Sequence, residues 1–312
     1  MPAGGAELKS AWNKFWFSGD AAISLELIRI ILGCSLLAAY GTVSAKLFEF
    51  YGNHDWLTYE FIGSHLKSLS APSVFFYFTQ PWQWIAFHLF FLVSCAALSV
   101  GWHTSWVKWI VWLGHLSYMN CNPAILYGAD YLAASLLFIL CLAPVGSALR
   151  LGSRDKAASQ TTQERDRRWG VACNRLIQIQ MVILFLFSGI TKLKGESWWS
   201  GDAVWISVMV YDFWRPSLFL SWLSHHHGVI NLFTYGALGL EMAYPFLIWG
   251  KKTRTFMMIG ALIFHLQIAF MLGLVYFSAV AIAGHAAFLR QEWLAGLFQN
   301  LKIVRGQTPI PR

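Results

Sequence analysis

Eight apolar blocks of about 20 residues most strongly limit what this chain can fold into. An apolar helix of about 20 residues crosses the roughly 30 Å hydrocarbon core of a bilayer, because an α-helix rises about 1.5 Å per residue. The blocks lie at 21–43, 82–100, 106–125, 130–149, 170–191, 228–249, 255–273 and 275–290. The sequence therefore predicts an all-α membrane protein with about eight transmembrane helices.

The composition excludes several other classes of protein. Charged residues make up 12% of the chain and apolar or aromatic residues 57%, whereas soluble domains have about 25% and about 45–50%. A soluble enzyme, a disordered chain and a disulfide scaffold are thereby excluded, and the lipid bilayer is the expected surrounding. The formal net charge is +8, but the Lys and Arg residues form no basic groove with interleaved aromatics. We therefore expect no nucleic-acid partner. The five cysteines form no CxxC motif, and we expect no metal site.

The basic residues predict the orientation of the chain. Eight spans place both termini on one side, and that side has about three times as many Lys and Arg residues as the other. The opposite side holds Lys46, Lys67, Lys192, Lys194 and Arg215. Since cytoplasmic loops are enriched in Lys and Arg, we expect an inner (plasma) membrane protein with both termini in the cytoplasm.

The pattern divides the chain into five segments. They are an interfacial helix at 8–18, a first four-helix half at 19–149, a cytoplasmic linker at 150–169, a second four-helix half at 170–290 and a cytoplasmic tail at 291–312. The first segment carries Trp12, Phe15, Trp16 and Phe17, which is typical of a helix lying on the membrane. Two long outer connections, 44–80 and 192–227, are rich in aromatics, so we expect short helices there.

Ionisable side chains within the spans are the candidate functional residues, because each costs a few kcal/mol in lipid and needs a partner or a purpose. They are Glu26, Arg29, His88, His115, Asp130, Glu241, His265 and His285, with Lys192 at the outer end of the fifth span. Glu26 and Arg29 are three residues apart on one helix face, which predicts a structural ion pair. Most of the others favour the outer half of the membrane, whereas Glu241 lies deeper, and together they predict a shared polar cavity that opens outward. The alternative for each histidine is a neutral ring bonded to a carbonyl or hydroxyl group of a neighbouring helix.

Lys192 is the sharpest single candidate. It follows an apolar run at the point where the helix meets the outer interface. Partial burial there disfavours the ammonium form, so the amine could act as a base. The alternative is an interfacial lysine whose stem lies along apolar surface while its charge reaches water, as we expect for Lys194.

Four segments together resemble the HTTM family, whose members share the transmembrane domain of vitamin K-dependent gamma-carboxylases. They are SAWNKFWFSGDAAISLELIRI, MNCNPAILYGADYLAASLLFILCLAPVG, QIQMVILFLFSGITKLKGESWWSGDAV and the run from EMAYPFLIWG to GHAAFL. The resemblance covers about 11–290. In the carboxylases, the lysine of a Gly-x-x-Lys-Leu stretch is the base toward vitamin K hydroquinone, and Lys192 matches it. A Phe-His pair of the family falls on Phe264 and His265.

The chain departs from the carboxylases in two respects. Ile268 stands where they have an asparagine three positions after the histidine, and we expect no large lumenal domain after the bundle. Carboxylation of glutamates on a tethered substrate is therefore not expected. Short bacterial relatives include a protein needed to mature a secreted toxin, so the resemblance also implies export-linked processing of a peptide.

The leading hypothesis is a gamma-carboxylase-like membrane enzyme acting on a quinone-like lipid or an exported peptide. Lys192 and His265 would be catalytic. His285, His115, His88 and Asp130 would bind the ligand or relay protons. Two alternatives stay open: an electron carrier in which two membrane histidines hold a b-type haem, which we favour less than a quinone-like lipid, and a non-enzymatic factor for peptide maturation, export or immunity.

Overall fold

A computed structural model describes residues 3–52, 58–60, 73–146, 149, 159–210 and 217–300, and these residues contain helices and no strand. The α-helices are α1 (Ala3–Phe17), α2 (Ala22–Val43), α3 (Leu47–Tyr51), α4 (Pro81–Val100), α5 (Thr104–Cys121), α6 (Gly128–Leu142), α7 (Gln160–Lys192), α8 (Glu196–Ser200), α9 (Ala203–Val210), α10 (Ser217–Ser224), α11 (His227–Leu247), α12 (Thr253–Leu272), α13 (Val275–His285) and α14 (Gln291–Asn300). The predicted all-α class is thus confirmed.

Four helical stretches are long and apolar enough to cross a membrane: Ala22–Tyr51, Pro81–Val100, Gln160–Lys192 and Thr253–Leu272. Helices α5, α6, α11 and α13 occupy the other four predicted intervals. Of these, α6 and α13 have only 15 and 11 residues, and α5 and α11 carry polar residues such as Lys108 and Glu241. The count of eight spans therefore stays a prediction.

Local sequence signals set several helix ends. The Asp20 carboxylate accepts a hydrogen bond from the Ala22 N–H at 3.0 Å, just where α2 begins. Helix α4 begins at Pro81, and Gln80 and Gln83 form a reciprocal capping box around this first turn. Gly101, with φ of 81°, ends α4 in the left-handed conformation that glycine adopts most easily. The sequence therefore encodes these boundaries locally.

The segment predicted as a linker, 150–169, is helical from Gln160 onward, and residues 150–158 lie outside the described part of the chain. Helix α7 has 33 residues and is about 50 Å long, so its polar first turns extend beyond the length that a bilayer core needs. The short helices expected in the two outer connections are present as α3, α8, α9 and α10. Residues 53–57, 61–72 and 211–216 of those connections lie outside the described part.

The chain forms two compact units, residues 1–175 with 289–312 (unit 1) and residues 176–288 (unit 2). In unit 1, α2 packs on α4, α4 on α5 and α5 on α6. Gly33 permits a close approach of α2 to α4, since a Cβ there would lie 2.9 Å from the Ser99 backbone nitrogen. Leu294 of α14 is buried against Ile23 and Leu149, so the start of the predicted tail packs within unit 1.

A buried ion pair joins three parts of unit 1. Arg29 Nε donates to Glu26 Oε2 at 2.7 Å, and both side chains are almost fully buried. The guanidinium also donates to the carbonyl groups of Leu98 and Ser99 at the end of α4 and of Leu149. The last carbonyl groups of a helix lack partners within it, so this pair satisfies the end of α4 while it neutralises a buried charge.

Unit 2 has its own apolar core. Buried residues from α9, α10, α11 and the end of α12 form it: Val204, Val208, Leu223, Ile230 and Met271. Helices α12 and α13 follow each other through Gly273, whose φ of 68° allows the sharp turn between them. This turn sets α13 against α12 and brings polar residues of the two helices close together.

Candidate functional site

A lysine–glutamate pair joins α7 to α11 within unit 2. Lys192 Nζ donates to Glu241 Oε1 at 2.8 Å and to Ser188 Oγ at 2.7 Å, and Ser188 Oγ donates to the same carboxylate oxygen at 2.9 Å. The Glu241 side chain is 3% exposed and that of Lys192 is 21% exposed. Glu241 Oε2 is buried and has no hydrogen-bond partner among the described residues. One carboxylate oxygen is therefore available to a further group.

The local sequence explains how the pair forms. Ser188 and Lys192 are four residues apart and lie on one face of α7. Gly189 lies between them, where a Cβ would meet Met242 Sδ at 2.7 Å and Glu241 Cβ at 3.4 Å. The absence of a side chain at Gly189 thus lets α11 come close. On the exposed side, Lys192 Nζ lies 5.1 Å from the centre of the Trp198 ring, a cation–π distance.

A second polar cluster in unit 2 contains two histidines and a tyrosine. His265 Nε2 and His285 Nε2 are 3.1 Å apart, and His285 Nδ1 is 2.7 Å from the Tyr244 hydroxyl. All three side chains are buried. His265 Nδ1 has no hydrogen-bond partner among the described residues. The three groups form a hydrogen-bonded chain that ends at this nitrogen.

This chain can hold its protons in two arrangements. A bond between two imidazole Nε2 atoms requires a proton on one of them and a lone pair on the other. If His285 Nε2 donates, His265 has its proton on Nδ1; if His265 Nε2 donates, His265 Nδ1 is an acceptor. When a proton leaves His265 Nδ1, the proton between the two Nε2 atoms moves to His265 and the Tyr244 hydroxyl proton moves to His285, so both rings stay neutral only if a second proton reaches Tyr244. The cluster is therefore able to relay protons.

Helices α7 and α11 contribute to both clusters, whereas His265 and His285 themselves lie on α12 and α13. Phe185 stacks on Tyr244 with ring centres 4.2 Å apart and packs edge-on against His265 and His285. On α7, Phe185 of the histidine cluster lies three residues before Ser188 of the lysine–glutamate cluster. On α11, Tyr244 likewise lies three residues after Glu241, so on each helix these two residues are about one turn apart. Lys192, the predicted base, lies seven residues, about two turns, beyond Phe185 on α7, and Glu241 lies about one turn before Tyr244 on α11.

The direct contact between His265 and His285 bears on the haem hypothesis. A metal–imidazole bond is about 2 Å long, and two axial ligands approach one iron from opposite faces of the macrocycle. Two imidazoles that hydrogen-bond to each other do not leave room for such a group. In this arrangement they do not fit a haem bound between them.

His88 and His115 lie in unit 1, where hydrogen bonds use both nitrogens of each ring. His88 lies 2.8 Å from the Tyr118 hydroxyl and 2.9 Å from that of Ser44. His115 lies 2.8 Å from the Tyr40 hydroxyl and 3.1 Å from the carbonyl oxygen of Asp130. Tyr40 and Tyr118 also pack against each other. These rings have the geometry expected of the alternative in which a membrane histidine is structural.

Asp130 acts within its own helix. Its Oδ2 accepts a hydrogen bond from the Tyr127 N–H at 3.1 Å, as part of a capping box at the start of α6. Burial, and then the charge of Asp130, raises the pKa of the nearby Tyr127 to about 12, so this hydroxyl stays neutral at physiological pH. The Asp130 side chain makes no hydrogen bond to a predicted site histidine among the described residues.

Sequence reasoning gave no site role to Phe185, Ser188 and Tyr244, and it named Glu241 as a candidate without pairing it with Lys192. Glu241 had a usable signal, since a carboxylate deep in a span needs a cation, and Lys192 offers one. Ser188 had a weaker signal, because it lies one turn before Lys192 on the same face. Phe185 and Tyr244 have no polar signature that separates them from other aromatic residues of the spans.

A family model described as the HTTM domain matches residues 18–293, which is nearly the whole chain. No curated protein matches the chain, and no solved structure matches it. The matched range includes every residue of the two clusters in unit 2.

Proposed function

The chain belongs to the HTTM family and is an integral membrane protein of that type; from this we propose that it is an enzyme whose lysine–glutamate pair is a base toward a quinone-like lipid. The resemblance of the Gly189–Leu193 stretch to the gamma-carboxylase pattern supports this role for Lys192. The observation that carries it is the placement of Lys192 Nζ at 2.8 Å from a carboxylate that is 3% exposed.

The burial of this pair is costly, which supports a functional role. Removing two charges from water costs several kcal/mol per ion in proteins, and mutual attraction only partly offsets it. Ionisable residues within membrane helices are rare and usually serve a pathway or a reaction. The pair also retains an oxygen, Glu241 Oε2, that no described residue uses.

The chemistry needs one proton transfer before the substrate reacts. Lys192 as an ammonium cannot accept a proton, so its proton first passes across the 2.8 Å contact to Glu241. This step converts an ion pair into a neutral amine and a neutral carboxylic acid. The amine then takes the proton of a hydroquinone O–H, leaving the quinol anion beside the new ammonium. His265 and His285 relay protons through their own hydrogen-bonded chain, in which a proton that leaves His265 Nδ1 is replaced by one that enters at Tyr244.

Quinol chemistry in reconstituted membranes tests this proposal. Protein in liposomes is supplied with vitamin K hydroquinone, and quinol oxidation is followed by absorbance and oxygen uptake. We expect Lys192→Ala to lower the protein-dependent rate by at least about 100-fold, in line with loss of a positioned base. The control is Lys194→Ala, because Lys194 is an exposed neighbour two residues away.

Two results would contradict the proposal. If Lys192→Ala oxidised the hydroquinone at the wild-type rate, Lys192 would not be the base. A wild-type protein that neither binds nor oxidises the hydroquinone would remove the quinone-like substrate.

We further propose eight spans, with both termini in the cytoplasm and the protein in the inner (plasma) membrane. The coincidence of a helix with each of the eight apolar blocks supports the count. The excess of Lys and Arg on the side of both termini supports the orientation.

A further inference from the structure

Two adjoining cavities lie in unit 1, where α1 faces the first turns of α7. One has a volume of about 750 Å³ and the other of about 800 Å³. Both are lined by Phe17, Glu164 and Arg168, so one cavity continues into the other. Neither cavity is lined by a residue of the two clusters in unit 2.

The first cavity is basic. Its charged lining consists of Lys9, Lys14, Arg167 and Arg168 against Glu164, a surplus of three positive charges. Lys9 and Lys14 are exposed and have no ion-pair partner among the described residues. A cavity with this charge attracts anions.

Contacts hold the two arginines of this cavity in place. Arg167 Nη1 donates to the Gly19 carbonyl at 2.5 Å. The guanidinium carbon of Arg168 lies 5.2 Å from the centre of the Phe17 ring, within cation–π range. Arginine side chains fixed in this way lose less freedom when they bind a phosphate.

The second cavity is lined on one side by apolar residues, Leu142, Pro144 and Trp169 among them. Trp169 donates from its ring nitrogen to the Leu142 carbonyl at 2.8 Å, although half of its side chain is exposed. Tryptophan in this setting is typical of the boundary between headgroups and acyl chains. The basic cavity thus continues into one with an apolar side. The charged residues that line the rest of this second cavity are Lys108, Glu164, Arg165, Asp166 and Arg168.

Helix α1 is amphipathic, with one face that lines the basic cavity and an opposite face that is apolar and exposed. Lys9, Lys14 and Phe17 lie on the face that lines the basic cavity, whereas Leu8 and Trp12 lie on the other face, 76% and 61% exposed. A helix with a basic face and an exposed apolar face lies in the membrane interface. Its position therefore places the cavities at the level of lipid headgroups.

We propose that the two cavities bind one anionic phospholipid. Its phosphate lies among Lys9, Lys14, Arg167 and Arg168, and its glycerol and first acyl carbons lie against Leu142, Pro144 and Trp169. Basic pockets between membrane helices at the headgroup level bind anionic lipids. A free phosphate would use the basic cavity alone, so the apolar side of the second cavity favours a lipid.

Titration of the full-length protein in detergent tests the site. Native mass spectrometry counts the bound phosphatidylglycerol molecules. Phosphatidylcholine and inorganic phosphate are titrated in separate experiments. We expect phosphatidylglycerol to bind at least about tenfold more tightly than phosphatidylcholine. Each of Lys9→Gln and Lys14→Gln should weaken its binding about fivefold, since a cation near the surface contributes about that factor. The matched control is Lys252→Gln, which removes an exposed cation outside unit 1.

Three outcomes would overturn the proposal. Equal binding of the two lipids would remove the need for an anionic headgroup. If Lys252→Gln weakened phosphatidylglycerol binding as much as Lys14→Gln does, the lipid would be responding to the overall charge of the protein and not to this cavity. Displacement of phosphatidylglycerol by inorganic phosphate at similar concentrations would assign the cavity to a soluble anion. Because the two lysine side chains are exposed, these variants should fold, and an unchanged unfolding temperature verifies it.

Discussion

At the residue scale, the two partners of the lysine–glutamate pair differ in their access to water. Lys192 is 21% exposed and has a long flexible stem, whereas Glu241 is 3% exposed. A lysine without its partner can turn toward the interface. A buried carboxylate without its partner must either remain charged in an apolar surrounding or take up a proton, and both cost free energy. Loss of the lysine is thus the more costly of the two changes.

We expect Lys192→Ala to lower the free energy of unfolding by about 2 kcal/mol and Glu241→Ala by about 1 kcal/mol. Removing one partner of a fully buried pair costs about 3–5 kcal/mol, and the partial exposure of Lys192 reduces this. The double variant should lose less than the sum of the two, with a coupling energy of about 1 kcal/mol. Additive losses would show that the 2.8 Å contact contributes nothing to stability.

The cysteines provide the measurement. Cys95, Cys121, Cys141 and Cys173 are buried, and Cys34 is exposed. A thiol-reactive fluorophore added during heating therefore reports unfolding through the four buried thiols, and Cys34→Ser lowers the background. Denaturant titrations with the same readout give the free energies to be compared.

The sequence identified Lys192 but not its partner, and the reason is geometric. Depth estimated from the rise per residue placed Lys192 at the outer end of its span and Glu241 deeper in another. Such an estimate concerns backbone positions, and it omits the length of the lysine side chain and the close approach that Gly189 allows. The histidine pair was missed as a pair for a related reason, since helix rotation decides which rings meet.

At the scale of helices, hydrophobicity predicted positions well and lateral contacts poorly. Each apolar block contains a helix because a backbone in lipid must satisfy its own hydrogen bonds. Which faces meet depends instead on small residues that allow close approach, and glycines occur throughout this chain. Gly33 and Gly41 of α2 illustrate the difference, since a Cβ at Gly33 would meet the Ser99 backbone and a Cβ at Gly41 would have nothing within 4 Å.

Gly33→Ala and Gly41→Ala therefore form a matched pair of variants on one helix. At Gly33 the new carbon would lie 2.9 Å from Ser99 N and 3.1 Å from Ser99 Cα. Backbone atoms must move to relieve this, so we expect a loss of about 1–3 kcal/mol. At Gly41 the higher helix propensity of alanine should leave stability unchanged or raise it by up to about 1 kcal/mol. Equal effects in the thiol assay would contradict the close packing of α2 on α4.

At the scale of the whole molecule, the number of bilayer crossings decides on which side two connections lie. If only the four long apolar stretches cross, the connection between α5 and α6 lies on the side of the N-terminus, and the one between α11 and α12 lies on the opposite side. If all eight helices cross, both assignments are reversed. The charges favour the second topology, because the α11–α12 connection contains Lys251 and Lys252 and residues 122–127 contain no basic residue.

Cysteine labelling distinguishes the two topologies. In a Cys34→Ser background, we expect Ile125→Cys to react with a membrane-impermeant maleimide on intact cells and Lys252→Cys to react only after lysis. Both positions are exposed at the protein surface, so lack of reaction would report sidedness rather than burial. Ser200→Cys should react on intact cells and Ser18→Cys only after lysis in either topology, which verifies that the cells are sealed. The reverse behaviour of Ile125→Cys and Lys252→Cys would establish four crossings and would place the basic connection outside, against the charge distribution that the sequence carries.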